Sequence, residues 1–328
     1  MIYRLGPDWP ASAAQLEEAL AREPFAPCSA TQQKSTGWVP PRGHEHGALV
    51  EVVDGQWLAC LAMETKSVPA DAVLRKAQEA AAHIEQTSGR VPGKREMREL
   101  REDALQALLP QAFARRSQVR AWIHPGRRWL VLDAGSQARA DELISALVRV
   151  AGQGFAVQLL HTRRTPQAAM AAWLASDPAG PDDELPENFA IGRECELKGS
   201  GDEPALVRFA RHELRTEEVR QHIAEGKLPT RLALNWQDRI DLVLTQALEL
   251  KKIRFDEGLF DAIDADEDRF DADVAMGTAE FEALIDDLIE ALDGEMTELG
   301  HAAAAHPATG PAPVAAAAAT ATDEDPPF

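Results

Sequence analysis

Three groups of residues in this 328-residue chain have types and spacings that could hold a metal ion. Asp264, Asp266 and Asp268, in "LFDAIDADEDRFDADV", repeat the opening of a calcium-binding loop, in which alternate carboxylates surround a hard cation. The sixth loop position is Arg269, where glycine must make the turn, and the twelfth is Ala275, where a bidentate glutamate must close the shell. This stretch therefore reads as a solvated acidic loop or a partner-facing surface. Asp241, Glu249 and Lys251 form a second group, resembling the two carboxylates and lysine with which metal-dependent nucleases hold a cation and polarise water. In a chain with 54 acids and 34 bases such a triplet arises readily by chance, and here it falls near a hairpin turn. His44 and His46, in "RGHEHG", offer two ligands with no third specified.

Other chemistry is poorly supported. Cys28, Cys60 and Cys195 form no CxxC pair, there is no GxSxG elbow, and neither glycine-rich phosphate loop occurs. No catalytic residue, metal ligand or cofactor is assigned on these grounds.

The distribution of charge is more informative. The net charge is -20, yet Arg90 to Arg128 holds ten Lys or Arg against four acids, and Asp256 to Glu298 holds seventeen acids against the single Arg269. Partners feel a local field within a Debye length of about 8 to 10 Å, so the segregation outweighs the sum. Two readings of the basic segment stay open. In one it is a solvated helix pair with Phe113 folded into the core. In the other, Lys94, Arg95, Arg98, Arg101, Arg115, Arg116 and Arg120 meet phosphates and release counterions, while Phe113 packs at a contact surface. Nothing in the segment reads base edges, so such binding would tolerate any sequence. The acidic segment offers a third possibility, a scaffold that mimics nucleic acid and recruits basic proteins.

These residues need elements to position them. "DG" at Asp54 and Gly55 predicts a hairpin, and apolar spacing predicts helices from Ala70 and from Lys94 to Leu109, the second closed by Pro110. Lys94, Arg98 and Arg101 then share one face, and Phe113 to Arg116 falls on the connection to the next strand. Val119 to Ala134 predicts two strands around "HPG", followed by a helix capped by Ser136. "PAGPDDELP", residues 178 to 186, predicts a joint between two units. Beyond it lie strands in "ECELKG" and "PALVRFARHEL", a helix capped by Thr216 and ended at Gly226, two alternating runs from Arg231 to Phe255, and an acidic amphipathic helix from Ala279. The Ala/Pro-rich residues 299–328 predict a disordered tail. The opening "MIYRLGPDWP" has no export signal and no apolar run suits a membrane helix, so a cytoplasmic protein is expected.

The blocks "PFAPCSATQQKSTGWVPP", "SVPADAVLRKA", "ALLPQAFARRSQVRAWI", "VLDAGSQARADELISALVR", "KLPTRLALNWQDRIDLVL", "LKKIRFDE" and "DRFDADVAMGTAEFEALIDDLIEALDGE" occur in the order found in the RdgC family of recombination-associated proteins. The chain resembles that family over residues 1 to 296. The resemblance implies an α+β fold: a curved subunit with a central β-rich region (1–68 and 119–177), a helical tip (69–118) and a basal region (187–298), two copies of which close head to head into a ring. It implies a non-enzymatic, nucleoid-associated, cytoplasmic protein that binds double-stranded DNA with little sequence preference and restrains RecA-driven recombination. It further implies that Phe113 helps two subunits meet at the tip, that the nearby arginines face DNA, and that Arg211 and His212 are ring-lining contacts. Two departures stand out. The start at "MIYRL" is shorter than usual, which suggests a trimmed first strand, and Gln111 replaces a common arginine, removing one phosphate contact.

Overall fold

A computed structural model describes residues 1–7, 9–10, 12–152, 155–178, 180–181, 183–200, 205–259 and 269–296. Asp264, Asp266, Asp268 and the low-complexity residues 299–328 lie outside the described residues. The chain divides into one unit, Met1–Glu295, and a second, Met296–Phe328.

The apolar run Ile2–Leu5 forms β1, and helix α1 (Ala13–Leu20) follows, with the Ser12 hydroxyl accepting the Gln15 N–H at 3.3 Å. After β2 (Lys34–Val39), the strands β3 (Val50–Val53) and β4 (Gln56–Lys66) make the expected hairpin, in which Asp54 and Gly55 both take positive φ, 48° and 75°. Helices α2 (Ala70–Ser88) and α3 (Lys94–Leu108) match the apolar spacing. A 3-10 turn, Leu109–Gln111, carries Pro110 into β5 (Ala114–His124), so Arg115 and Arg116 belong to a strand and not, as expected, to a connection. Then come β6 (Trp129–Asp133), α4 (Gln137–Ala151) and β7 (Val157–Leu159). Ser136 stands at the N-cap of α4, but its hydroxyl makes no capping bond.

Helix α5 (Pro166–Ala175) precedes β8 (Phe189–Lys198), β9 (Leu206–Ala210) and α6 (Glu217–Ala224), the last capped as expected by the Thr216 hydroxyl. Three strands, β10 (Leu228–Trp236), β11 (Ile240–Thr245) and β12 (Leu250–Phe255), replace the two expected runs. The turn between β10 and β11 places Gln237 and Asp238 at φ 49° and 54° without a glycine, which hides it in the sequence. Helix α7 (Arg269–Ala291) begins about ten residues before its expected start.

All strand pairs in both sheets are antiparallel. The first sheet runs β2-β4-β5-β6-β1-β7, with β3 also paired to β4, and the second runs β12-β11-β10-β8-β9. Helices α1 and α4 cover one face of the first, burying Leu16, Leu20, Leu143 and Leu147 against Leu61, Val119, Ile123 and Leu130. In the second, Met170 and Trp173 of α5 and Leu284 and Leu288 of α7 meet Leu232, Leu242 and Leu244, and this same cluster takes in Ile2, Trp122 and Trp129 from the first sheet. The core therefore runs on across the turn-rich 178–186, and both sheets lie within Met1–Glu295. Burial in this cluster pushes the Cys195 thiol up to about 12.

Candidate nucleic-acid interface

The basic segment is carried by the α2–α3 pair, which is inserted between β4 and β5. The two helices pack through small residues, with Ala77 and Ala104 buried and few other side chains covered. The remaining faces of α3 meet solvent. Lys94, Arg98 and Arg101 form the expected stripe, with Arg95 beside it. Arg95 pairs with Glu99 and Arg98 with Glu102, each at 3.1 Å, and both pairs stand in water, where they are weak and exchangeable. Arg90 holds Glu96 with two bonds, at 2.6 and 2.8 Å, and lowers that carboxyl's pKa. Lys94 and Arg101 have no ion pair among the described residues.

The chain leaves α3 through buried Leu109 and exposes Phe113, 94% of whose surface is accessible. This excludes the reading in which Phe113 fills the core. Strand alternation then separates the arginines of β5. Arg116, Gln118 and Arg120 share a face with Trp122, while Arg115 is on the opposite face, where Val119 and Ala121 are covered by α1 and α4 and Arg115 itself stays exposed. Arg116 lies opposite Glu64 in register, yet Glu64 accepts the Cys28 N–H at 2.8 Å, and the Arg116 guanidinium stands 4.2 Å over the Phe25 ring. Arg120 lies opposite Cys60 and Asp133. Beneath these side chains the floor is small and apolar, formed by Val39, Cys60 and Ala62 with Phe25. Gly37 permits it: a Cβ there would stand 2.4 Å from the Phe25 Cα.

Acids take up many of the molecule's other cations, although Arg75, Lys76, Arg128 and Arg139 also have no ion pair among the described residues. Helix α7 takes up Arg127 through Glu282 and Asp286, Arg42 through Asp271, and Arg239 through Glu280. Among the described residues, Lys94, Arg101, Arg115, Arg116 and Arg120 have no carboxylate within ion-pair distance. A chain of net charge -20 thus leaves cations unneutralised on α3 and β5.

Arg211 and His212 stand elsewhere, just after β9 on the second sheet. Arg211 has φ 57° and its carbonyl accepts from Arg193 at 3.2 Å, while the His212 ring lies 5.7 Å from Phe209. Arg193, Lys252 and Arg254 line the same groove as Arg211 and were missed in the sequence. The alternation in "LKKIRF" was the available signal for the last two.

The nuclease group is not assembled. Asp241 is the second residue of β11 and accepts from Asn235 at 2.9 Å, whereas Glu249 lies beside Thr245 at the far end of that strand, which is about 13 Å from Asp241 along an extended chain. Glu249 pairs with Lys251 at 2.8 Å. Among the described residues no three His, Cys, Asp or Glu are grouped to hold a metal ion, and none of the helices is long and apolar enough to cross a membrane.

A family model described as "Putative exonuclease, RdgC" matches residues 1–295. The chain is 41% identical over 305 residues to "Recombination-associated protein RdgC" of Dechloromonas aromatica (strain RCB), covering 90% of this chain and 97% of that protein. Proteins of the same name from Herminiimonas arsenicoxydans and Bordetella pertussis are 40% and 37% identical over 301 and 298 residues, with the same coverage.

Proposed function

Because this chain belongs to the RdgC family, we propose that it serves in recombination as a sequence-tolerant binder of double-stranded DNA. The observation that carries this reading is the set of five cations without ion pairs on α3 and β5, elements that adjoin in the sequence, in a chain of net charge -20. Their partners would be phosphates: Lys94 presents a point charge and Arg101 a guanidinium fork from a helix, and Arg115, Arg116 and Arg120 add further forks from a strand. Arg95 and Arg98 join them by exchanging exposed intrahelical pairs for phosphate oxygens. No hydrogen-bonding set here is arranged to read base edges, so affinity comes from the backbone.

Two copies would act together. Phe113 is the large apolar side chain left open beside the arginines, and covering it in a homodimer removes that surface from water. A closed dimer around duplex DNA limits dissociation, and an occupied duplex is withheld from RecA. The protein would bind without cutting and would associate with the nucleoid.

The test is to mix the intact chain with two unrelated short duplexes, in EDTA and then in Mg²⁺. Equal affinities with uncut DNA are expected. A strong preference for one sequence would contradict the reading. Mg²⁺-dependent cutting that disappears in Glu249→Ala would replace it with a nuclease.

A further inference from the structure

Helices α1 and α4 cover one face of the first sheet, and the other face, carrying Leu58, Trp122 and Val131, looks onto β12 and α7. Between these elements lies a cavity of about 690 Å³, a size that suits a small molecule. Its walls are mainly apolar. Val131, Ile253, Phe255, Val274 and Phe281 all line it and all are only half-buried, so their remaining apolar surface faces one shared space. The rings of Phe255 and Phe281 meet edge to face there, with centroids 5.2 Å apart.

Gly277 of α7 lines the same cavity. It does not have positive φ, and a Cβ built on it would meet no atom within 4 Å, so neither backbone conformation nor close packing calls for glycine. Glycine inside a helix is less stable than alanine. The helix gives up stability at this position, and what it gains is room inside the cavity.

The polar groups of the wall divide into occupied and available. The Thr278 hydroxyl donates to the Val274 carbonyl of its own helix at 2.8 Å, and the Trp122 indole N–H donates to Gln56 at 2.9 Å, so neither has a donor left for a polar ligand body. Arg269 faces Asp273 at 3.6 Å. Arg120 is available: its register partner Asp133 does not take it up, and among the described residues it has no ion pair. A matching ligand is apolar along its body and carries one carboxylate, whose two oxygens fit a guanidinium fork.

We propose that this cavity binds an amphiphile of the fatty-acid class, with its hydrocarbon chain between β12 and α7 and its carboxylate on Arg120. The proposal stands apart from the DNA-binding reading, although Arg120 belongs to both surfaces.

The experiment is calorimetric titration of the full chain with decanoate, decan-1-ol and decylammonium, each below its micelle concentration, repeated on Gly277→Leu and Arg120→Gln. Decanoate is expected to bind about tenfold more tightly than decan-1-ol, and Arg120→Gln should remove that preference. Gly277→Leu places a side chain in the cavity, and should weaken decanoate by at least about tenfold while the melting temperature holds or rises. Should that variant melt lower, Arg120→Gln at the surface still decides the question. No binding by the unaltered chain, or binding that a stably folded Gly277→Leu leaves intact, would overturn the cavity as the site. Decylammonium binding as tightly as decanoate, or decanoate affinity unmoved in Arg120→Gln, would overturn the anionic ligand.

Discussion

At the scale of single residues, Phe113 and Asp183 make separable claims. Phe113 is 94% exposed at the junction of α3 and β5, and a side chain of its size contributes about 1.5 to 3 kcal/mol when fully covered. Phe113→Ser should therefore weaken self-association by at least about tenfold in sedimentation equilibrium while leaving the melting temperature unchanged. An unchanged dimer would remove Phe113 from the contact. Asp183 tests the fold instead. Arg215 clasps it, also donating to the Trp173 carbonyl at 3.2 Å and the Ser176 hydroxyl at 3.0 Å, and holds its carboxyl well below the usual carboxylate range. A depressed folded-state value stabilises the native form above the ordinary carboxylate pKa, and that contribution is lost as pH falls below it. Arg215→Ala should then lower stability at neutral pH by about 2 kcal/mol, and the difference from the unaltered chain should shrink below about pH 4 in acid titrations. A difference that stays constant into acid would exclude this linkage.

At the scale of elements, the α2–α3 pair is an insertion with its own role. Lys66 and Ala114 are register partners at the ends of β4 and β5, so a tight turn can replace residues 67–113 without disturbing the ladder. A chain joined there by Asn-Gly should keep its far-UV strand signal and cooperative unfolding. It should bind duplex DNA more weakly, because Lys94, Arg95, Arg98 and Arg101 are gone. Retained affinity would move the interface off the helices. The helices themselves were legible in the sequence, since Val73, Ala77, Ala81 and Ile84 recur at helical spacing. Helix α5 was not: it buries one face, Pro166, Ala169, Met170, Trp173 and Leu174, but alanines fill most of the other side of "PQAAMAAWLA", so no polar stripe marks the face that stays outside. The start of β5 was also missed, and with it the division of Arg115 from Arg116, which follows from two-residue alternation once the strand begins at Ala114.

At the scale of the whole molecule, charge is sorted in space as well as in sequence. Acidic α7 neutralises Arg42, Arg127 and Arg239, while Lys94 and Arg101 of α3 and Arg115, Arg116 and Arg120 of β5 have no ion pair among the described residues. The segregation along the chain was plain from composition, but the pairing that spends some cations and spares others depends on contacts between distant segments. The same limit hid the shared core. Ile2 reaches a cluster built mostly from residues after 160, a contact no local pattern announces, so the turns at 178–186 looked like a boundary between cores. The most direct test of the central claim measures duplex affinity across a salt series for the unaltered chain and for Arg101→Gln/Arg115→Gln/Arg116→Gln/Arg120→Gln. The account predicts equally weakened binding to unrelated sequences and a slope smaller by about 3.6, at about 0.9 for each of four phosphate contacts. Unchanged affinity and slope in the variant would contradict it.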